Sequence, residues 1–527
     1  MWECQRSSLA NEGAVHPTTW AEAGPPPLSD DGFDASLGVT VSRKALPRIV
    51  RDMSMQAGGL YFSAAAQAVR VLILASLLAP SELGTVALIA LVLAYSQYCD
   101  LGIALAVGRQ IPLSLGAGKD HEALAWRWYG LAAKLMGSVS FGLVLVVIVT
   151  AKWSELNPGV RFGLLTVAVV AVLQGVIMAL QVILAANQRF GRAAILLVTL
   201  GTANLTAGVA GAAVNGLRGV FIGQVIAYSA TVVVGFVLAG RIVASPLQRR
   251  RVWMLLKIGV PLAALIFAGY NLVNIDQVMV VSLLGREDLG IYALVLYGGS
   301  ALYLLPSALA AVIGPRLLRK FGEFGTAESI YELTWRPVKI LALAMPILIV
   351  ALCVLGPLVI QHFLPAYSAA IAPLRIYSVG MFFLGLNLGV STTLVAFNKH
   401  ARNVPIMALS IGLNVAIDLA FVGLLHWGLM GIALGSALTY FVYWMAHTTL
   451  VRWYFHQTPR TALLMNLKSG WQGFVLAALT LAAWATGAIE TTTLLSCAFY
   501  FFGLLVFLPP LLVTAMRRGH AIRDAGA

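Results

Sequence analysis

Two charged residues, Arg70 and Asp276, stand deep inside long apolar stretches of this sequence. In a hydrocarbon environment either one is costly unless it is paired or hydrated. A guanidinium so placed can meet a phosphate or a carboxylate, and a carboxylate can take up a proton or form an ion pair. Asp276 shares its stretch with Tyr270, Asn271 and Asn274, a polar cluster that reads as a stripe facing a water-filled lumen. Lys134, Asp100 and Asp418 are three further charges within apolar runs. Lys134 can snorkel toward an interface, and Asp100 can fix Arg109 or a neighbouring helix. Asp418, with Asn414 one turn earlier, suits a proton site or a helix–helix hydrogen bond. His447 reads as packed or interfacial.

Bond-making chemistry has no such foothold. The nearest approach to a phosphate-binding loop, Leu115-Gly116-Ala117-Gly118-Lys119, lacks the first glycine and the Ser/Thr after the lysine. The four cysteines, Cys4, Cys99, Cys353 and Cys497, have no paired spacing, so neither a disulfide framework nor a metal set is expected. The sequence is read as a non-enzyme with no cofactor and no metal.

The elements that must position these residues follow from composition. Hydrophobic residues make up 60% of the 527 and charged ones only 11%, against about 25% charged in a typical soluble domain. Mean hydropathy is +0.87, which excludes a water-facing surface and implies an all-α polytopic membrane protein. The net charge of +14 then fits cationic loops at the membrane rather than nucleic acid, which is not expected as a partner. Residues 1–55, with Pro25, Pro26, Pro27 and the acids Glu3, Glu12, Glu22, Asp30, Asp31 and Asp34, read as a disordered cytoplasmic tail. Met53 and Met55 directly precede the first apolar run and are alternative starts.

Stretches long enough to span a bilayer as helices, roughly 20 residues each, are placed at about 56–79, 83–108, 128–150, 161–186, 193–214, 217–240, 255–284, 288–314, 337–360, 369–397, 403–425, 428–451, 468–487 and 493–516. That makes about 14 transmembrane helices. With both termini cytoplasmic, 28 of the 35 Lys and Arg fall in inside segments and five (Lys152, Arg161, Arg218, Arg286, Arg375) in outside loops. This is the bias that the positive-inside rule predicts for an even number of spans. Trp126, Trp128, Trp427, Trp453 and Trp471 fall near span ends and read as interfacial anchors.

The spans repeat. Ser76-Leu-Leu-Ala-Pro-Ser-Glu-Leu-Gly84 matches Ser282-Leu-Leu-Gly-Arg-Glu-Asp-Leu-Gly290 at an offset of 206. Gly216-Leu217, Gly219, Gly223 and Tyr228 match Gly428-Leu429, Gly431, Gly435 and Tyr440 at an offset of 212. Six spans return the chain to its starting side, so the two copies insert in parallel, related by an axis along the membrane normal. The expected organisation is a six-helix lobe at 56–241, a basic interlobe loop at 242–254 carrying Arg249-Arg250-Arg251, a second six-helix lobe at 255–452, and two extra helices with a short tail at 453–527. The interlobe arginines read as an orientation signal and a contact for anionic lipid.

The order Arg70, Leu83-Gly84, Asp100-Leu-Gly102, Gly108-Arg109, then Gly259-Val-Pro261, Asn274-Ile-Asp276, Leu289-Gly290-Ile-Tyr292 and Ile313-Gly-Pro315 resembles the polysaccharide transporter, or oligosaccharide flippase, family. That family is a branch of the multidrug/oligosaccharidyl-lipid/polysaccharide exporter (MOP) superfamily. The resemblance covers about 56–516. It implies two parallel six-helix lobes in a V in a bacterial plasma (inner) membrane. The implied substrate is an undecaprenyl-diphosphate-linked oligosaccharide, an O-antigen, capsule or exopolysaccharide unit, moved from inner to outer leaflet. Membrane lipids and the polysaccharide polymerase and chain-length machinery are the implied partners.

Two other readings compete: a cation-coupled multidrug antiporter of the same fold, and a membrane polymerase or ligase of the same pathway. An antiporter for cations wants an acid where Arg70 stands, and the outside loops are too short to carry a catalytic centre. Arg70, Asp276, Asn274, Asn271, Lys134, Asp100 and Asp418 are the expected substrate and ion pathway. Arg70 and Asp276, at equivalent repeat positions, are expected to form an ion pair across the lobes.

Overall fold

A computed structural model describes residues 46–490, apart from 241 and 398. Two units are distinguished, Met1–Arg51 and Asp52–Ala527, and everything below except the first turns of α1 lies in the second. Among the described residues every regular element is helical. In chain order they are α1 (Leu46–Leu77), α2 (Pro80–Ser96), α3 (Ile103–Gly116), α4 (Asp120–Ala151), α5 (Pro158–Ala186), α6 (Phe190–Ala239), α7 (Arg249–Leu283), α8 (Arg286–Phe324), α9 (Ala327–Phe363), α10 (Ile371–Ala396), α11 (Asn403–Asp418), α12 (Gly428–Tyr454), α13 (Pro459–Ser469) and α14 (Trp471–Ala485). A π-helical turn, Leu419–Leu424, extends α11. Among the described residues ten helical stretches are long and apolar enough to cross a membrane.

Local chemistry explains the boundaries, and several differ from expectation. α1 starts at Leu46, ten residues inside the segment read as an unstructured tail. The second span, expected as one helix over 83–108, is two. Leu101 and Gly102 adopt left-handed φ values of 51° and 76°, and the carboxylate of Asp100 accepts from the Ala104 amide at 2.8 Å to start α3. The 13th span, expected over 468–487, is α14, and the shorter α13 precedes it across Gly470. Conversely, the fifth and sixth spans form one element, α6, folded at Asn215 and Gly216. Its two arms lie so close that a Cβ at Gly211 or Gly219 would overlap the other's carbonyl. The 14th span, 493–516, lies outside the described residues.

The two repeats meet reciprocally. A Cβ at Gly84 would overlap the Arg286 carbonyl, and one at Gly290 would overlap the Pro80 carbonyl. Since 80 pairs with 286 and 84 with 290 in the repeat, residue i touches j and j touches i, which is the signature of a two-fold relation. The Tyr367 hydroxyl seals the same end by donating to the Leu78 carbonyl at 2.8 Å. At the other end the break in the second span presses on α7, where a Cβ at Gly102 would overlap the Gly259 carbonyl. Between these contacts Tyr95, Tyr98, Phe267 and Tyr270 interlock edge to face across the α2–α7 seam, with centroids 5.1–6.2 Å apart.

Backbone-to-backbone contact leaves no room for a methyl group. Gly84→Ala and Gly290→Ala should each destabilise the protein by about 1–3 kcal/mol, seen as a lower melting temperature in detergent. Gly412→Ala in α11, which would meet nothing within 4 Å, should not lower it. Unchanged melting of both seam variants would contradict the packing described.

Candidate functional site

The charged and polar residues expected along the pathway divide into three places. The first is a cavity of about 310 Å³ between the two repeats. α1 contributes Gln67 and Arg70, α5 Gln174, α6 Asn204, Gln224 and Tyr228, α7 Tyr270, Asn274 and Gln277, and α8 Tyr297. Arg70 is buried, yet among the described residues no carboxylate lies within ion-pair distance of it. Its Nη1 makes a long hydrogen bond to Gln67 Oε1 at 3.5 Å, and its Nε and Nη2 have no partner. Two acceptors of the cavity wall, Asn204 Oδ1 and Gln174 Oε1, are also unpartnered. The hydroxyls of Tyr228 and Tyr297 lie near the guanidinium. Gly208 makes room for it, since a Cβ there would fall 2.8 Å from Nε. On α7, Asn274 donates to the Tyr270 carbonyl at 2.9 Å and accepts from Gln277 at 2.9 Å.

The second place is the interior of the second repeat. Asp276 is fully buried there and does not pair with Arg70 as expected. The reason is geometric. Asn274 and Gln277 on α7 turn to the cavity, which places Asp276 on the opposite face, against α8, α11 and α12. Its Oδ2 accepts from Ser436 at 2.5 Å and Tyr292 at 3.2 Å. The Asn414 amide, with its nitrogen turned inward, donates to Asp276 Oδ1 and Asp418 Oδ2, both at 3.3 Å. Asp418 Oδ1 has no partner, and Gly435 opens the space it occupies. Two carboxylates thus share one amide bridge in a buried site, and among the described residues no Lys or Arg balances them.

Repeat arithmetic joins these two places. Along an offset growing from 206 to 212, Arg70, Asn204, Gly208, Gln224 and Tyr228 correspond to Asp276, Asn414, Asp418, Ser436 and Tyr440. Both are the same constellation of spans 1, 5 and 6 of a repeat, with the charge inverted. The sequence marks Tyr228 and Tyr292 only as members of the repeat and family patterns, and it does not mark Gln224 or Ser436. The signal that could have found Gln224 and Ser436 is their position directly after the repeat glycines Gly223 and Gly435.

The third place is the break in the second span. Lys134 donates to Asp100 Oδ1 at 2.8 Å and to the Gln97 carbonyl at 2.6 Å, so Asp100 fixes Lys134 rather than Arg109. Asn271 lies apart from the cavity, on the seam, where it accepts from the Tyr95 hydroxyl at 2.9 Å. His447 is packed, bonded through Nδ1 to Asn387 at 2.9 Å and stacked on Tyr443. Arg375, expected in an outside loop, is fully buried in α10 and donates to the carbonyls of Cys353 and Ile489. Trp126, expected as an interfacial anchor, is buried and donates to Ser114 at 3.0 Å.

Comparison with known proteins places this geometry. The pattern of the polysaccharide biosynthesis protein family matches residues 73–366, more than half of the chain. The chain belongs to that family. Comparison with curated proteins gave no match. Among solved structures it is similar to an inward-facing multidrug resistance MATE transporter of the MOP superfamily, at 15% identity over 74% of this chain and 94% of that one, TM-score 0.62. It is also similar to a Pyrococcus furiosus MOP transporter reported with a binding pocket of reverse polarity, at 14% identity over 76% and 95%, TM-score 0.55. A Vibrio cholerae MATE transporter matches at 14% over 79% and 98%, TM-score 0.54. This polysaccharide biosynthesis protein therefore has the fold of MOP transporters.

The buried pair at the break gives a direct check. Removing one partner of a buried ion pair costs about 3–5 kcal/mol, so Lys134→Met, which strands Asp100, should sharply lower thermal stability. Adding Asp100→Asn, which keeps an acceptor for the Ala104 amide, should recover part of that loss. Equal stability of Lys134→Met and the unaltered protein would remove the pair from the account.

Proposed function

We propose that this chain moves an undecaprenyl-diphosphate-linked oligosaccharide from the inner to the outer leaflet of a bacterial inner membrane by alternating access of its two six-helix lobes. The observation that carries the reading is Arg70: a buried guanidinium with two unbonded nitrogens, facing a cavity whose polar wall is amides and tyrosines and whose remainder is largely aliphatic. A free cation at mid-membrane is costly, and an entering anion removes that cost. Diphosphate oxygens suit the fork of a guanidinium. The surrounding Gln, Asn and Tyr side chains both donate and accept, as sugar hydroxyls require.

Asp276, Asn414, Asp418 and Ser436 then serve as the site of a coupling cation or proton. Two carboxylates meet there around the Asn414 amide and the Ser436 hydroxyl without a balancing cation, and α7 links them to the substrate. One face of α7 carries Asp276, the opposite face carries Asn274 and Gln277 into the cavity, and its first half touches the other lobe at Gly102. A change of charge at Asp276 therefore acts on the helix that both lines the cavity and closes the seam. Lys134 and Asp100 hold the break in the second span against that helix. Fourteen spans with both termini cytoplasmic remain the topology this reading uses.

In a deletion strain, the unaltered chain should restore surface polysaccharide. Arg70→Gln should reduce it at least about tenfold at matched protein level, the loss of one charge-assisted contact of about 1.5–3 kcal/mol, and Arg70→Lys should recover part. Intact polysaccharide in the deletion strain, with raised sensitivity to cationic drugs, would favour the antiporter instead.

A further inference from the structure

A recess of about 600 Å³ lies on the first repeat, apart from the central cavity, at the seam with α7. Its floor is the break in the second span, on which α4 rests directly: a Cβ at Gly137 would fall 2.7 Å from the Cys99 carbonyl. The walls are apolar, with Met136, Phe141 and Val144 from α4, Leu247 from the interlobe segment and Leu256 from α7. Met136 is 64% exposed and Val144 56%, so the groove faces outward, toward lipid. Tyr129 pins the interlobe segment over one end, donating to the Pro246 carbonyl at 2.9 Å and accepting from the Gln248 amide at 2.8 Å.

At that end a second recess, about 660 Å³, shares Val252 and Leu256 with the groove and is lined by Arg249 and Arg250. Both arginines are exposed, and no carboxylate is within ion-pair distance among the described residues. Arg251 and Lys257 lie nearby, over the rings of Trp126 and Trp253. One end of the groove is therefore strongly cationic and its length is apolar.

We propose that this groove holds the polyprenyl chain of the lipid-linked substrate on its arrival, with the phosphate at Arg249 and Arg250 before the head group passes along the seam to Arg70. The proposal rests on the substrate class read above. Length favours a polyprenyl chain over an ordinary phospholipid. Tyr129 to Val144 runs about 22 Å along α4 at 1.5 Å per residue, whereas one leaflet of hydrocarbon is about 15 Å deep, half of a core of about 30 Å. An acyl chain anchored at the arginines ends near mid-membrane, short of the far end of the groove. A polyprenyl chain fills it.

Position supplies the second argument. Asp100 lines the groove and also, with Lys134, a pocket of about 160 Å³ that reaches Ala263 of α7. The break held by the Lys134–Asp100 pair is thus a wall common to the groove and to the seam between the repeats. A lipid whose chain lies in the groove presents its head group to that seam.

The test uses the full chain in nanodiscs of phosphatidylethanolamine and phosphatidylglycerol, with a diazirine-tagged polyprenyl monophosphate that carries no sugar. Photolabel mapped by mass spectrometry should fall on the groove residues of α4 and α7, and untagged polyprenyl phosphate should compete it away where added phosphatidylglycerol does not. Met136→Trp, a change at a lipid-facing residue, should abolish groove labelling while the protein remains folded by its melting curve. Arg249→Gln and Arg250→Gln should each weaken labelling about fivefold, the equivalent of about 1 kcal/mol per arginine near the membrane surface. Labelling spread over other helices, or equal competition by phosphatidylglycerol, would overturn the proposal. Because the probe has no glycan, groove labelling without glycan transport would instead count against the substrate reading alone.

Discussion

The cost of a bare charge in hydrocarbon is the constraint on which this structure turns. The polar centre of each repeat is built from the same three spans, and each carries charge that no neighbour cancels. In the first repeat it is the guanidinium of Arg70, open to the central cavity. In the second it is the Asp276 and Asp418 carboxylates, sealed in the helix bundle and bridged by Asn414. A fold that merely needed stability would place apolar residues at all three positions, because buried ions seldom repay their desolvation. Retaining charges of opposite sign at equivalent repeat positions makes sense where each has a visiting counter-ion.

The glycines supply the mechanics. Gly84 and Gly290 bring the repeats into backbone contact at one end, and Gly102 meets Gly259 at the other. Such contacts have no interdigitated side chains to pull apart, so they suit a surface that must separate and re-form. The left-handed pair Leu101–Gly102 lets the second span change direction just where it meets α7, and Asp100 both caps the new helix and neutralises Lys134. α7 collects the signals: Gly259 at the seam, Asn274 and Gln277 in the cavity, Asp276 in the core.

Much of this was legible in the sequence. Apolar length and the placement of Lys and Arg gave the spans, because each bilayer crossing needs its own run. The repeat predicted that Arg70 and Asp276 lie at equal depth. Their side-chain directions were not legible. Equivalent positions on two related helices need not face each other. Arg70 opens to the cavity between the repeats, whereas Asp276 turns into the second repeat toward Ser436 and Tyr292, which is why the expected ion pair is absent. The break at Leu101 was hidden because hydropathy runs straight through it. The Lys134–Asp100 pair was hidden because its partners are 34 residues apart with no periodic link. Gln224 and Ser436 read in the sequence as ordinary polar residues beside repeat glycines, and only the place of Gln224 in the cavity wall and the Ser436 hydrogen bond to Asp276 give them meaning.

The central claim is that the two repeats hold sites of opposite sign with separate tasks. The most direct test measures binding of undecaprenyl diphosphate to the purified protein in nanodiscs, for the unaltered chain, Arg70→Gln and Asp276→Asn, across pH and with or without sodium. The account predicts that Arg70→Gln loses affinity under every condition. It predicts that Asp276→Asn still binds but no longer responds to pH or sodium. Undiminished binding by Arg70→Gln, or an unaltered ion response in Asp276→Asn, would contradict it.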